Sequence, residues 1–267
     1  MKKVVKRIDQ PIIFTYNVML NVYKNFGQKH FEHIENHLSK QTNMKAIVLP
    51  IISYPEDSIE SRAKQASQKI PELLSKHKAD KAHIISYSTS GVDMRYLISE
   101  FQGSQYISSL STIASPHKGA KVITAYERKL IFDQHLQAIS RLVGLDISSF
   151  QEYRPTNIRD FNTFVLNNPK VQYFTVGGEK MAAQCADSLK SSNGALFSEF
   201  NGTSGAPIDN DGVFCFDEVQ WGTHLLNFEA DHSDLVGLGR GNFRYEQVID
   251  LLIQNIRYNF GTPIGEQ

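Results

Sequence analysis

Three side chains, Ser88, Asp211 and His232, follow one another in the order Ser, Asp, His and have the types needed for nucleophilic acyl transfer. A serine hydroxyl is a weak nucleophile at neutral pH. It needs a histidine to take its proton and a carboxylate to orient that histidine. The stretch "AHIISYSTSGVDMRYLIS" sets Ser88 between an apolar run, Ala82 to Ile85, and a run whose apolar residues recur at helical spacing. A sharp strand-to-helix turn of this kind lifts a serine hydroxyl clear of a sheet. "DNDGVF" gives Asp211 a turn-forming context, and "ADHSDLVGL" brings His232 beside a predicted helix. Each feature alone has an ordinary structural reading, since Asn-Asp-Gly is first of all a turn and an isolated histidine is more often structural than catalytic. Their order and their placement at strand or loop ends bring the hydrolytic reading level with the structural one.

The elements that must position these groups read as alternating strands and helices. Apolar, β-branched runs occur at Pro11 to Thr15, Ala46 to Ile52, Ala82 to Ile85, Ile107 to Ile113 and Val171 to Val176. Between them, the segment from Ser58 to Lys78 has helical spacing with a capping arrangement in Asp57 and Glu60, and Pro71 is expected to kink or split it. Near the C-terminus Val248, Leu251, Leu252 and Ile256 line one helix face. Such alternation predicts an α/β fold, a mainly parallel sheet covered on both faces, with ligands beyond the C-terminal strand ends. Residues 121–165 break the alternation. "LIFDQHLQAISRLVGLDI" is amphipathic and "SSFQEYRPTNIRDFN" is polar, which fits a lid and an ordinary helical excursion equally.

The chain has 267 residues, enough for one large domain (1–267), and 28 basic residues balance 28 acidic ones, so net charge gives no reason to expect nucleic acid as a partner. Apolar stretches such as "PIIFTYNVML" are shorter than the roughly 18 to 20 residues that span a bilayer. Cys185 and Cys215 are too few for a disulfide framework, although a single bridge between them remains open; reduced thiols in an intracellular protein are the expectation. The basic start, Met1 to Arg7, lacks an apolar signal region and is compatible with mitochondrial import. No cofactor is implied. His30, His33 and His37 have the spacing of one helix face, but no cysteine or carboxylate set completes a metal site, and a solvated face is the expectation. Trp221 reads as a core residue.

Beyond spacing, the chain resembles the α/β-hydrolase triacylglycerol lipases, in particular intracellular eukaryotic lipase-like proteins related to bacterial true lipases. "SIESRAKQ" resembles that family's S-I-x-x-R-A, "GVDMRYLIS" its G-G-L-D-x-R-Y-L-I-S, and "STIASPHKGAKV" its T-T-I-x-T-P-H-R-G. "NDGVFCFDEVQWGTHL" and "DHSDLVGL" resemble its acid and histidine loops, and the similarity runs from about Pro11 to Leu238. The resemblance implies an α/β-hydrolase fold with Ser88 as nucleophile, Asp211 as acid and His232 as base. It implies backbone donors to an oxyanion at Val18 and Thr89, and a lid at 121–165. His117, in the Pro-His-Lys-Gly turn, is expected to shape the pocket floor, as are Tyr16 and Asn17.

Two places depart from the pattern. The elbow glycines of G-x-S-x-G are Ser86 and Ser90, and the family's H-G-L-x-G loop reads Tyr16-Asn17-Val18-Met19-Leu20. If that loop needs a positive φ, Asn17 tolerates it and Leu20 pays a Cβ penalty. Loss of one oxyanion donor costs roughly 10²- to 10³-fold in kcat. Two readings follow: a lipase or carboxylesterase acting on a lipid or acyl ester, with activity weakened or lost, and a non-catalytic, lipase-derived subunit holding protein partners in an assembly, a mitochondrial one included.

Overall fold

β-Branched residues that alternate in direction along an extended chain can bury both faces of a strand, and the apolar runs do this in a six-stranded sheet. The computed structural model describes residues 6–26, 30–43, 46–200, 209–239 and 241–263. Met1 to Val5, most of the basic start, lie outside them. In chain order the elements are β1 (Lys6–Arg7), β2 (Ile12–Met19), α1 (Leu20–Phe26), α2 (Glu32–Thr42), β3 (Ile47–Ser53), α3 (Ile59–Lys76), β4 (Ala82–Tyr87), α4 (Ser90–Glu100) and β5 (Ile107–Ile113). They continue with α5 (Lys121–Glu127), α6 (Asp133–Val143), α7 (Ile147–Phe150), α8 (Pro155–Phe164), β6 (Gln172–Glu179), α9 (Asp187–Glu199), α10 (Phe216–Val219), β7 (Thr223–Glu229), α11 (Glu246–Phe260) and β8 (Thr262–Pro263). The main sheet has the order β3-β2-β4-β5-β6-β7 with every pair parallel. β1 and β8 form a separate antiparallel pair.

β2 shows how the two faces divide. Phe14, Tyr16 and Val18 enter a core with Ile34 and Leu38 of α2 and Val248, Leu252 and Ile256 of α11. Ile13 enters the opposite core with Ala63 and Ile70 of α3 and Met94 and Leu97 of α4. A strand has a side-chain period of two, so Thr15 and Asn17 share the face of Ile13. Among the described residues, no helix is long and apolar enough to cross a membrane.

Several local expectations change. β2 runs on to Met19 instead of stopping at Thr15, because Tyr16 to Met19 continue the parallel register with β3, Tyr16 opposite Pro50 and Met19 opposite Ser53. α3 passes unbroken through Pro71; burial of Ile70 and Leu74 on either side offsets the lost N–H. Its cap is Ser58, whose side chain accepts from the Ser61 amide, while Asp57 accepts from the Ser61 hydroxyl. Leu251 is only half-buried, and Ile249 and Ile253 take its place against the core. His33 and His37 do not form a solvated face: they bond the Val236 carbonyl at 2.8 Å and the Asp250 carboxylate at 2.8 Å, tying α2 to the C-terminal region. Cys185 and Cys215 are free and buried, so the single bridge left open by the sequence is not formed.

Candidate active site

Ser88 follows the last residue of β4 with φ at +57°, a left-handed conformation costly for a residue with a Cβ. Two bonds hold it there: its amide donates to the Ile113 carbonyl at 2.8 Å, and its carbonyl accepts from Gly91 at 3.1 Å. α4 begins two residues later. A Cβ on Gly91 would collide with the Thr112 side chain of β5 and with Ser115 just beyond it, so this glycine lets β5 approach the elbow.

The two serines in the elbow's glycine positions are bonded to a common partner. Thr15 Oγ1 lies 2.6 Å from Ser86 Oγ and accepts from Ser90 Oγ at 2.9 Å. All three hydroxyls are buried. One residue pair further along the same face of β2, Asn17 Nδ2 donates to Thr89 Oγ1 at 3.0 Å and to Asp93 Oδ2 at 2.7 Å. Thr15 of β2 therefore satisfies both elbow serines, and Asn17 reaches the residue that follows Ser88.

On the other side, Asp211 sits in the turn that precedes α10. Its Oδ1 accepts from the Val213 and Phe214 amides at 2.9 and 2.7 Å, leaving Oδ2 for His232 Nδ1 at 2.7 Å. His232 Nε2 is 3.0 Å from Ser88 Oγ. A carboxylate can only accept, so Nδ1 carries the imidazole proton and Nε2 is free to take the serine's. The His232 amide bonds the Asp211 carbonyl at 2.8 Å, and the Tyr87 hydroxyl donates to the His232 carbonyl at 3.0 Å. Burial, with the Asp211 and Asp231 charges, raises the Tyr87 hydroxyl well above its ordinary range, which keeps it a donor. Phe214 meets the imidazole edge-on, with ring centres 5.2 Å apart.

The loop bearing His232 is pinned by charge. Asp231 accepts from the Ser233 and Asp234 amides, and Lys180 at the end of β6 reaches Asp234 at 2.5 Å and Asp231 at 3.8 Å. A second buried charge pair joins α3 to α4, the helix that follows Ser88: Arg62 Nε is 3.1 Å from Asp93 Oδ2, with both side chains fully buried. Burial alone would lower the Arg62 guanidinium; Asp93, by charge and hydrogen bond, outweighs it together with Tyr153 and Glu152 and holds Arg62 above its usual range. The Tyr153 hydroxyl also donates to Asp93 at 3.1 Å. Neither Lys180 nor Asp93 was assigned a role from sequence, although Arg62 and Asp93 lie inside the motifs "SIESRAKQ" and "GVDMRYLIS".

The Asn17 side chain ties the strand end that carries Val18 to Thr89, the residue after Ser88, but the site is shut. No residue from Tyr16 to Leu20 has a positive φ, so the anticipated Cβ penalty at Leu20 does not arise. Tyr16 points away from Asn17 into the α2 core, its ring against Phe31 at 4.4 Å. Gly144, which ends α6 at φ +76°, lies against the Asn17–Val18 peptide so closely that a Cβ would strike the Asn17 carbonyl. The Thr89 hydroxyl donates to the Val143 carbonyl at 2.9 Å. Ser88 is 2% exposed and His232 fully buried. A cavity of about 680 Å³ borders the histidine loop at Asp231 and Ser233 and α6 at Ala138, Arg141 and Leu142. His117 is not brought to the triad: its Nε2 bonds Thr112 at 2.9 Å, Asn162 donates to its carbonyl, and its ring lies by Trp221.

Comparison with known proteins agrees with this architecture. No protein-family model matches the chain. A triacylglycerol lipase of Saccharomyces cerevisiae is 29% identical over 190 residues, 67% of this chain and 54% of the yeast protein, so the match spans about half the length of that relative. A Bacillus licheniformis lipase in mature form superposes with a TM-score of 0.67 at 17% identity, covering 94% of this chain and 93% of the other. Lipase 1 from Pelosinus fermentans gives 0.63 at 16% identity, covering 93% and 98%. The parallel sheet, its flanking helices and the likeness to these solved lipases show an α/β-hydrolase fold, and over about two thirds of its length the chain is similar in sequence to a triacylglycerol lipase.

Proposed function

We propose that the protein is a serine ester hydrolase acting on acyl esters, lipid esters among them, with Ser88, His232 and Asp211 as its catalytic residues. The observation that carries this reading is the continuous relay from Ser88 Oγ through His232 to Asp211, at 3.0 and 2.7 Å. Ser88 Oγ attacks the ester carbonyl carbon as His232 Nε2 takes its proton, and the amides of Val18 and Thr89 receive the charge that develops on the carbonyl oxygen. The tetrahedral intermediate collapses with loss of the alcohol, which leaves with the proton held on Nε2. Water, deprotonated by the same nitrogen, then cleaves the acyl-enzyme and regenerates Ser88.

The chain forms one catalytic unit in this reading, and segment 121–165 is its lid. With Gly144 against the Asn17–Val18 peptide, the end of α6 must lift before an ester can reach Ser88. Basal turnover is therefore low and rises when an apolar surface or detergent draws α6 away. The burial of Ser88 also supports the competing reading, a non-catalytic subunit of a protein assembly. Hydrolysis of a short-chain p-nitrophenyl ester, assayed with and without detergent micelles, separates the two. We expect turnover that Ser88→Ala abolishes without changing the unfolding midpoint. A folded protein with no turnover above the Ser88→Ala level under either condition overturns the enzymatic reading.

A further inference from the structure

Asn17 occupies a position where the family pattern has glycine, yet its side chain is held close to Ser88 through Nδ2, while Oδ1 is buried without a partner. Nδ2 makes two bonds, to Thr89 Oγ1 and Asp93 Oδ2. Their chemistry fixes the amide's orientation, because turning it over would set Oδ1 against the Asp93 carboxylate. Thr89 is the residue after the nucleophile, and the Asn17 carbonyl belongs to the same peptide as the Val18 amide. A single side chain thus ties together the two backbone segments whose N–H groups must converge on one oxyanion.

From this we propose that Asn17 is a positioning residue for the oxyanion site: with Asp93 and Arg62 behind it, it performs with side-chain bonds what the glycine loop does with backbone freedom. The proposal rests on the ester-hydrolase reading. Asp93 is a suitable anchor, since Arg62 Nε and Nη2 and the Tyr153 hydroxyl all donate to it within 3.3 Å and none of these groups can drift into solvent. Tyr153 belongs to segment 121–165, and Thr89, which accepts from Asn17, donates to Val143 of that segment. The anchor therefore also meets the lid, through Tyr153 and through Val143 at the end of α6.

The test uses the full chain and two readouts, steady-state hydrolysis of a p-nitrophenyl ester and the rate at which a fluorophosphonate labels Ser88. Asn17→Ala is expected to lower kcat and the labelling rate by roughly 10- to 100-fold with KM changed less than about twofold, since an oxyanion donor acts in the transition state. Asn17→Asp, which sets a carboxylate against Asp93, should lower both further. Asn17→Asp combined with Asp93→Asn restores a donor–acceptor pair and should recover most of the loss. Unchanged kcat and labelling in Asn17→Ala, in a wild type that both turns over and labels, overturns the proposal alone. So does loss in KM with kcat unchanged. If Asn17→Asp fails to fold, failure of the double variant to exceed Asn17→Ala in kcat overturns it. A wild type with neither turnover nor labelling overturns the hydrolase reading, and this proposal with it.

Discussion

Around Asp211 and His232 the chain keeps the Asn-Asp-Gly turn and the Asp-His pair of the pattern it resembles, whereas around Ser88 it replaces two elbow glycines and most of the first loop. The two regions are also held differently. Asp211 is fixed by amides two and three residues along the chain, and Asp231 by amides at the same spacings. The elbow is fixed by bonds between residues 71 to 76 positions apart, Thr15 to Ser86, Asn17 to Thr89, Ser90 to Thr15 and Asn17 to Asp93. A local turn survives as long as its own few residues do. A cross-strand network changes only as a set, because each hydroxyl or amide added to one strand is costly until its partner appears on the next. The two elbow serines, which look degenerate one at a time, are thus satisfied by Thr15 once the strands are paired.

The largest expected effect strikes the locally built side. Asp211→Asn keeps the shape but favours the wrong imidazole tautomer, and should lower kcat by roughly 10⁴-fold while the protein still unfolds cooperatively. Lys180→Met leaves two buried carboxylates beside His232 without their cation and should cost about 3–5 kcal/mol in urea unfolding; a loss within experimental error would show that the histidine loop stands on its backbone bonds alone. On the elbow side, Thr15→Val orphans the hydroxyls of Ser86 and Ser90 and should cost about 1–3 kcal/mol. Removing all three hydroxyls together, with Ser86→Ala and Ser90→Ala added, should recover most of that loss. If the losses simply add, the three residues are independent and the contrast between the regions fails.

The same difference in range explains what the sequence reveals. The Asn-Asp-Gly turn and the Asp-His-Ser-Asp loop carry their bonding within a few residues, so their shape is readable from the letters. Five of the six main strands announce themselves by apolar, β-branched runs. β7, "THLLNFE", lies at the sheet edge with much of its surface half-buried or exposed, and carries no such run. The last four residues of β2 were hidden by their likeness to a loop. The role of Thr15 was hidden because neither of its partners is near it in the chain. Closure by Gly144 was unreadable for the same reason: nothing local relates the end of an amphipathic helix to a peptide in the first long strand.

All of this bears on whether Ser88, in an elbow rebuilt from hydroxyls, is an activated nucleophile. Intact-protein mass spectrometry after exposure to a fluorophosphonate, with the adduct mapped by proteolysis, measures that directly. The account predicts one adduct per chain, on Ser88, formed faster with detergent micelles present and at least 100-fold more slowly in Asp211→Asn. A folded protein that remains unlabelled with micelles, or whose Ser88 labels equally fast without the Asp211 carboxylate, would contradict it.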